Sequence, residues 1–139
     1  MSRKIAREVA MKLIFARMLG GENDYRCILE QTGIEGEPPQ EDIDFADSLV
    51  SGIEQKKEEI DDLIAQSAIG WTISRMPNVD ICILRIALYE MMHREDIPHS
   101  VSINEAVELA KRFAGDKSPA YINGILGTLS KQIEGIPVE

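Results

Sequence analysis

The sequence predicts an all-α protein of six or seven helices joined by short loops. Apolar residues recur at intervals of three and four through most of the chain, which is the spacing of one helix face. No segment alternates apolar and polar residues over a useful length, so no β-strand is predicted. The length of 139 residues suits one domain, and the apolar content of 44% is ordinary for a globular protein.

The first helix is predicted from about residue 3 to residue 19, and Gly20 ends it. One face of this helix carries apolar side chains that suit a core. They are Ile5, Val9, Leu13 and Ala16. At about 100° per residue, Arg3, Lys4 and Arg7 fall together on the opposite face. This spacing therefore predicts a helix with one buried, apolar face and one exposed, cationic face.

Two further helices are predicted in the acidic middle of the chain. The first is short, and Asn23 or Asp24 caps it. Its apolar residues are Tyr25, Ile28 and Leu29. A loop rich in Gly and Pro follows over residues 33–40. A long amphipathic helix is then expected over about residues 41–66, and Gly52 between its two apolar stripes indicates a bend or a break.

The second half begins with a short connector at residues 71–76, after which Asn78 is placed to cap the next helix. That helix, over about residues 79–93, is apolar nearly all round. A helix of this kind has no face that water would favour, so we expect it at the centre of the domain.

Two helices complete the chain. Ser102 and Glu105 have the spacing of a capping box and predict the start of the first of them. Ser118 followed by Pro119 reads as the N-cap and first turn of the second. Within this last helix, Gly124 is expected to let a neighbouring helix approach closely.

Charge is strongly segregated along the chain. The formal net charge is −9, yet residues 1–17 carry five Lys or Arg against one Glu, a local net of +4. Residues 22–62 carry fourteen Asp or Glu against three Lys or Arg, a local net of −11. Nucleic acid would avoid the acidic surface. An acidic chain can still bind RNA when its cations are grouped apart from its carboxylates, as they are here.

Cations and aromatic rings occur together at both ends of the chain. Phe15 lies on the charged side of the first helix. A second cationic cluster surrounds the start of the last helix and comprises Lys111, Arg112 and Lys117. Tyr121 can point outward one turn into that helix, and the free N–H groups after Ser118 attract anions such as phosphate. Cations bind phosphates and rings stack on bases, so this combination is typical of RNA binding.

The sequence gives little sign of an enzyme. It contains none of the motifs GxxxxGK[ST], GxGxxG and GxSxG, and its two His and two Cys lack a metal-ligand spacing. We therefore predict no catalytic residue, no cofactor and no metal. Cys27 and Cys82 are expected to be reduced and mostly buried. No apolar run reaches the length of a membrane span and no secretory signal is present, so a cytoplasmic location is expected.

Several blocks of sequence, in order and over nearly the full length, resemble the NusB family of transcription antitermination factors. The blocks are Ala6–Ala10, Trp71, Arg75–Met76, Asp80, Ile83–Glu90, Ile97–Pro98, Ile103–Lys111, Ser118 and Tyr121–Leu126. The resemblance implies a single NusB-like helical domain over residues 1–139, made of two packed subdomains of about three helices each, at residues 1–66 and 71–134. It implies binding to the boxA element of ribosomal RNA transcripts together with NusE, a small-subunit ribosomal protein. The complex would travel with RNA polymerase and other Nus factors and suppress premature termination.

Carried onto this sequence, the resemblance and the charge pattern together give one set of expected RNA contacts. They are Arg3, Lys4, Arg7, Phe15, Lys117, Ser118 and Tyr121. Asp80 matches an acidic position that the family uses against NusE, and a negative surface there would suit a basic partner.

Two other classes of function stay open at this point. In the first, the chain is a protein-only helical adaptor whose basic helix binds an acidic partner and whose RNA binding is incidental. In the second, it is an enzyme with a deep pocket that no motif reveals. The sequence also leaves monomer and homodimer open.

Overall fold

The computed structural model describes residues 3–21, 27–28, 31, 38–67 and 75–134. Within those residues it holds five helices and no strand. They are α1 (Arg3–Met18), α2 (Gln40–Ser67), α3 (Asn78–His93), α4 (His99–Phe113) and α5 (Ser118–Ile133). Residues 27, 28 and 31 are helical as well. None of the helices in this part of the chain is long and apolar enough to cross a membrane.

The all-α class is confirmed, but the predicted count of six or seven helices exceeds the five found in the described ranges. The difference lies in two short segments. Of the helix predicted around Tyr25 and Leu29, only residues 27, 28 and 31 are described. Most of the connector predicted at residues 71–76 lies outside the described residues, and Arg75 has 3₁₀-helical conformation.

The apolar helix α3 lies at the centre of the fold, as its composition predicts. It packs against all four other helices, and its Leu84 and Leu88 are fully buried. Since α3 contacts helices from both halves of the chain, it joins them through one continuous core. The division into two subdomains, at residues 1–66 and 71–134, stays a prediction.

Three charged residues interrupt the apolar surface of α3, and their partners come from all four neighbouring helices. Asp80 accepts a hydrogen bond from Ser118 of α5. Arg85 donates twice to Asp61 of α2, with both N···O distances at 2.9 Å. The third residue, Glu90, binds α1 and α4. Residues five apart on a helix point about 140° away from each other, so this spacing directs the three groups toward three different neighbours.

Glu90 has 1% of its surface exposed and binds two neighbouring helices. Arg7 of α1 binds it with two hydrogen bonds, Nε to Oε2 at 2.8 Å and Nη2 to Oε1 at 2.7 Å. Ser102 of α4 donates a third, at 3.0 Å. Arg7 is itself only 4% exposed. The prediction that Arg7 lies on an exposed cationic face is therefore wrong, because a buried guanidinium requires a buried carboxylate and here it has one.

The starts of α3 and α5 lie within one residue of the predicted positions, whereas α4 begins at His99, three residues before the predicted Ser102. None of these three helices has a side-chain cap hydrogen bond. Pro77 and Pro98 occupy the N-cap positions of α3 and α4, and neither helix has a side-chain cap. Ser102 therefore lies inside α4, where its hydroxyl serves Glu90 and not a free N–H group. The Ser102 hydroxyl has its hydrogen-bond partner in Glu90 and does not cap the helix. The capping-box prediction is therefore wrong.

Helix α2 bends, but not at Gly52. The residue with non-helical backbone angles is Lys56, at φ −110° and ψ 15°. Gly52 has another purpose, since a Cβ at this position would overlap the ring of Tyr89. The missing side chain thus allows α2 and α3 to pack closely. Gly124, which was expected to do this for α5, is exposed and faces open space, so that prediction is wrong.

The two cysteines differ in their surroundings. Cys82 is fully buried in α3, and burial raises the pKa of its thiol to about 12. Cys27 is exposed, so the expectation of two mostly buried thiols is correct for Cys82 alone.

Replacement of Glu90 by Gln is expected to lower the free energy of unfolding by about 3–5 kcal/mol, because it leaves the Arg7 guanidinium buried without a carboxylate. Glu108→Gln is the matched control, since Glu108 pairs with Lys111 at the surface. That variant should stay within about 1 kcal/mol of the wild type. Urea unfolding followed by circular dichroism measures both, and equal losses would contradict the assigned role of Glu90.

Two glycine replacements should shift stability in opposite directions. Gly52→Ala forces the Tyr89 ring away and is expected to cost about 1–3 kcal/mol. Gly124→Ala adds a methyl group to open space on α5 and should stabilise the protein by up to about 1 kcal/mol through helix propensity. Thermal melts of the two variants provide the measurement, and a rise in melting temperature for Gly52→Ala would refute the close approach of α2 and α3.

Candidate nucleic-acid interface

Five of the six charged residues of α1 form two rows, and the sixth, Arg17, pairs with Glu54 of α2. Arg3 and Arg7 are about 40° apart on the helix and both face Phe45 of α2, with guanidinium carbons 4.6 and 5.3 Å from the ring centre. The second row lies about 100° further around the helix. It contains Lys4, Glu8, Met11, Lys12 and Phe15, which fall within an arc of about 100°. The first row is directed toward the core, and the second faces α4.

Arg3 and Lys4 are both exposed, as predicted, but they have different neighbours. The guanidinium of Arg3 lies over Phe45 and within 3.6 Å of the carboxylate of Asp96. Lys4 lies on the second row, where it lines a shallow depression together with four residues of α4: Glu105, Glu108, Leu109 and Arg112. Arg3 is therefore partly engaged by protein groups, and Lys4 lies beside the second cationic cluster.

Glu8 connects the second row to α4. Its Oε2 accepts a hydrogen bond from Lys12 Nζ at 2.9 Å, and its Oε1 lies 2.7 Å from Nη1 of Arg112. Burial raises the pKa of this carboxyl, but the hydrogen bonds and charges of Lys12 and Arg112 together lower it further, so the net pKa lies below its ordinary value. Glu8 is therefore ionised at neutral pH and holds a cation on each oxygen.

The same two cations lie against the ring of Phe113 at the end of α4. Lys12 Nζ is 5.1 Å from the ring centre, and the guanidinium carbon of Arg112 is 4.7 Å from it. Both distances are within the range of a cation–π interaction. We define the basic–aromatic face as the surface formed by Lys4, Lys12, Phe15, Arg112 and Phe113.

A cleft of about 340 Å³ opens on this face between α1 and the end of α4. Its lining residues are Met11, Lys12, Phe15, Ala16, Ile28, Gln31, Val79 and Phe113. Phe15 and Phe113 are both half-buried, so part of each ring lies at the surface. The cleft is thus mainly apolar, with two rings and one ammonium group, a combination that suits a planar base next to a phosphate.

The loop before α5 is fixed by an interaction that the sequence did not predict. Ser118 is 5% exposed and donates a hydrogen bond to Asp80 Oδ2 at 2.9 Å. Asp80 is 1% exposed, and burial raises its pKa while the Ser118 hydrogen bond lowers it by less. Neither side chain is available to a ligand. The expected RNA contact of Ser118 and the expected partner-facing role of Asp80 are therefore both corrected, because the two side chains are buried and bind each other. The other carboxylate oxygen, Asp80 Oδ1, is buried and has no hydrogen-bond partner among the described residues.

The remaining two predicted residues lie on either side of Ser118. Lys117 is exposed and occupies the N-cap position of α5, where its ammonium group can meet a phosphate. Tyr121 is half-buried and packs against the core. Tyr121 does not line the cleft. It lies one turn after Ser118, which binds Asp80, and Asp80 follows the cleft residue Val79 in the sequence.

The sequence did not identify Lys12 or Phe113 as site residues, and it placed Arg112 only within a cationic cluster near the last helix. A signal for Lys12 is present, because it follows Glu8 by four residues and precedes Phe15 by three, which places all three on one side of the helix. Phe113 has the helical spacing of the apolar residues of its helix, and no local pattern separates a core ring from one at the rim of a cleft. Among the residues that the structure describes, no cluster of His, Cys, Asp or Glu could hold a metal ion.

Known proteins share both this sequence and this fold. The NusB family model matches residues 4–131. A transcription antitermination protein NusB from Clostridium novyi is 43% identical over 133 residues, which cover 94% of this chain and 99% of that protein. A solved NusB structure from T. maritima superposes with a TM-score of 0.83 at 32% identity, covering 95% of this chain and 92% of that one.

A second solved structure contains the antitermination factors NusB and NusE in complex with dsRNA. The matching chain has a TM-score of 0.79 at 26% identity, covering 94% of this chain and 96% of that one. The fold found here is thus shared with a protein that has been crystallised with both an RNA and a protein partner.

The shifted pKa values of Glu8 and Asp80 predict opposite effects of acid. Glu8, whose pKa is lowered, stabilises the folded protein at pH values above its ordinary pKa of 4.5. This stabilisation is lost as the pH falls through the pKa of Glu8 in the folded state. Asp80, whose pKa is raised above its ordinary value of 3.8, stabilises the folded protein in acid. This stabilisation is lost as the pH rises through the pKa of Asp80 in the folded state. Glu8→Gln should therefore flatten the loss of stability in acid, and Asp80→Asn should steepen it. Urea unfolding between about pH 3 and pH 7 measures both slopes, and a shift of the same sign in the two variants would contradict this assignment.

Proposed function

Because the chain belongs to the NusB family, we propose that it is a transcription antitermination factor that binds RNA and carries out no catalysis. Its RNA target is the boxA element of ribosomal RNA transcripts, and its protein partner is NusE. The complex acts on RNA polymerase together with other Nus factors, in the cytoplasm. The name of the relative from Clostridium novyi and the neighbouring complex of NusB, NusE and dsRNA support this proposal.

The observation that carries the proposal is the cleft on the basic–aromatic face. Phe15 comes from the first helix and Phe113 from the fourth, and the fold brings them to one opening of about 340 Å³. Lys12 and Arg112 lie over Phe113, with 29% and 52% of their side chains exposed. Rings that stack on bases therefore stand next to cations that reach phosphates, which is the combination that single-stranded RNA requires.

In this mechanism, phosphates set the position of the strand and bases give specificity. Lys4, Lys12, Arg112 and Lys117 neutralise phosphates, with Arg3 at the edge of the surface. A base that has left its stack enters the cleft and lies against Phe15, and Tyr121 offers a second ring beyond the loop. NusE strengthens RNA binding, and by linkage RNA strengthens NusE binding by the same factor.

We propose a single strand as the ligand, although the neighbouring complex holds dsRNA. A base within a duplex has both faces covered by its neighbours and cannot stack on a protein ring, whereas an unpaired base can. The rings of the cleft are therefore useful only to a strand whose bases are free. A duplex of the same sequence belongs in every binding experiment as a comparison.

The protein-only adaptor is the second candidate, and one observation favours it. Arg7 is buried and Arg3 is engaged by Phe45 and Asp96, so α1 offers fewer free cations than its sequence predicts. An adaptor would bind boxA RNA and a scrambled RNA equally, even with NusE present.

Replacement of Phe15 by Leu is expected to weaken boxA binding by about 1–3 kcal/mol and to leave its salt dependence unchanged, because a stacking ring is lost and no charge is. Lys117→Gln should instead reduce the slope of log Kobs against log[salt] by about 0.7, the value for one phosphate on a single strand. Fluorescence anisotropy with a boxA oligonucleotide at several salt concentrations measures both quantities.

Lys131→Gln serves as the control for charge. Lys131 is exposed on the same helix as Lys117 but lies about 21 Å from it along α5. Its removal should leave the slope unchanged. Wild-type affinity and slope in both Phe15→Leu and Lys117→Gln would exclude this surface as the RNA site.

A further inference from the structure

Glu8 is an unexpected group on a surface that binds RNA. A carboxylate repels phosphate, and its simplest effect at such a site is to weaken binding. Yet Glu8 is only 7% exposed, and each of its oxygens is bound to a cation. One oxygen binds Lys12 of the same helix, and the other binds Arg112 of α4. Its charge is therefore directed at Lys12 and Arg112 and hardly at solvent.

We propose that Glu8 is a positioning residue for RNA binding, which holds Lys12 and Arg112 together against the ring of Phe113. This inference rests on the proposed function and adds to it a specific role for a negative charge. The RNA ligand never touches Glu8 and instead meets the two cations that Glu8 has arranged.

The geometry explains why such a residue is needed. The charged groups of Lys12 and Arg112 both lie about 5 Å from the centre of one ring, where they repel each other. The carboxylate between them offsets that repulsion and fixes both long side chains, which would otherwise lose rotamer freedom when RNA binds. An ammonium has three N–H donors and a guanidinium has five, so each cation keeps donors for phosphate after binding Glu8.

The lowered pKa of Glu8 agrees with this role, because the residue stays charged at every pH at which the protein would meet RNA. Glu108 gives a contrast on the same side of α4. It pairs with the exposed Lys111, at 3.4 Å, and half of its side chain is exposed. Among the described residues, neither Lys12 nor Arg112 forms an ion pair with it. Removal of Glu108 therefore changes the charge of the surface without changing the position of the two cations.

The test compares Glu8→Gln with Glu108→Gln, which remove the same charge. Anisotropy with a boxA oligonucleotide and with a scrambled one should show that Glu108→Gln binds as tightly as the wild type or more tightly. Glu8→Gln should bind boxA about tenfold more weakly, although its net charge favours RNA more. Its salt slope should also fall by about 0.7 for each phosphate that the protein no longer neutralises, which a general loss of stability would not cause.

Glu8→Asp is the second variant and guards against misfolding of the first. It keeps the charge but is shorter by one methylene, so it cannot reach both cations, and it should also weaken boxA binding. Circular dichroism melts establish that each variant is folded at the binding temperature. Wild-type boxA affinity in a folded Glu8→Gln or Glu8→Asp protein would overturn the inference. Equal binding of boxA and scrambled RNA by the wild type would instead overturn the proposed function itself.

Discussion

The fold depends on one constraint, the burial of α3 on all sides. A helix with no exposed face must satisfy each of its charged residues inside the protein, because an unpaired buried charge costs several kcal/mol. Asp80, Arg85 and Glu90 are five residues apart and point in three directions, so their partners come from three sides: Ser118 of α5, Asp61 of α2, and Arg7 of α1 with Ser102 of α4. These contacts specify how the other four helices are arranged around α3.

The same constraint shapes the candidate interface. Once Arg7 is committed to Glu90, the helix is oriented so that Lys4, Glu8, Lys12 and Phe15 face α4. The cations of α1 thus have different surroundings: Arg7 is buried against Glu90, whereas Arg3, Lys4, Lys12 and Arg17 keep part of their side chains at the surface. The proposed nucleic-acid surface of this acidic protein thus consists of a few cations held in place and not of a large excess of positive charge.

Much of the fold could be predicted from the sequence, because the information for it is local. The limits of α1 and α3 follow from helical spacing and from Gly20 and Pro77 within one or two residues. The central place of α3 follows from its apolar composition. Three of the corrections concern Ser102, Ser118 and Gly124, whose residue types fit two local roles equally well. Only their neighbours in space decide which role each one has.

The candidate site shows the same division. By itself, the sequence determined the helical class, the segregation of charge, and the presence of rings beside cations near both ends of the chain. The tertiary structure alone decided that Arg7 and Asp80 lie inside, that Glu8 holds Lys12 and Arg112, and that Phe113 meets Phe15 at one cleft. The physical reason is that helical periodicity gives the direction of a side chain around its own axis, whereas burial and pairing depend on which helix lies in that direction.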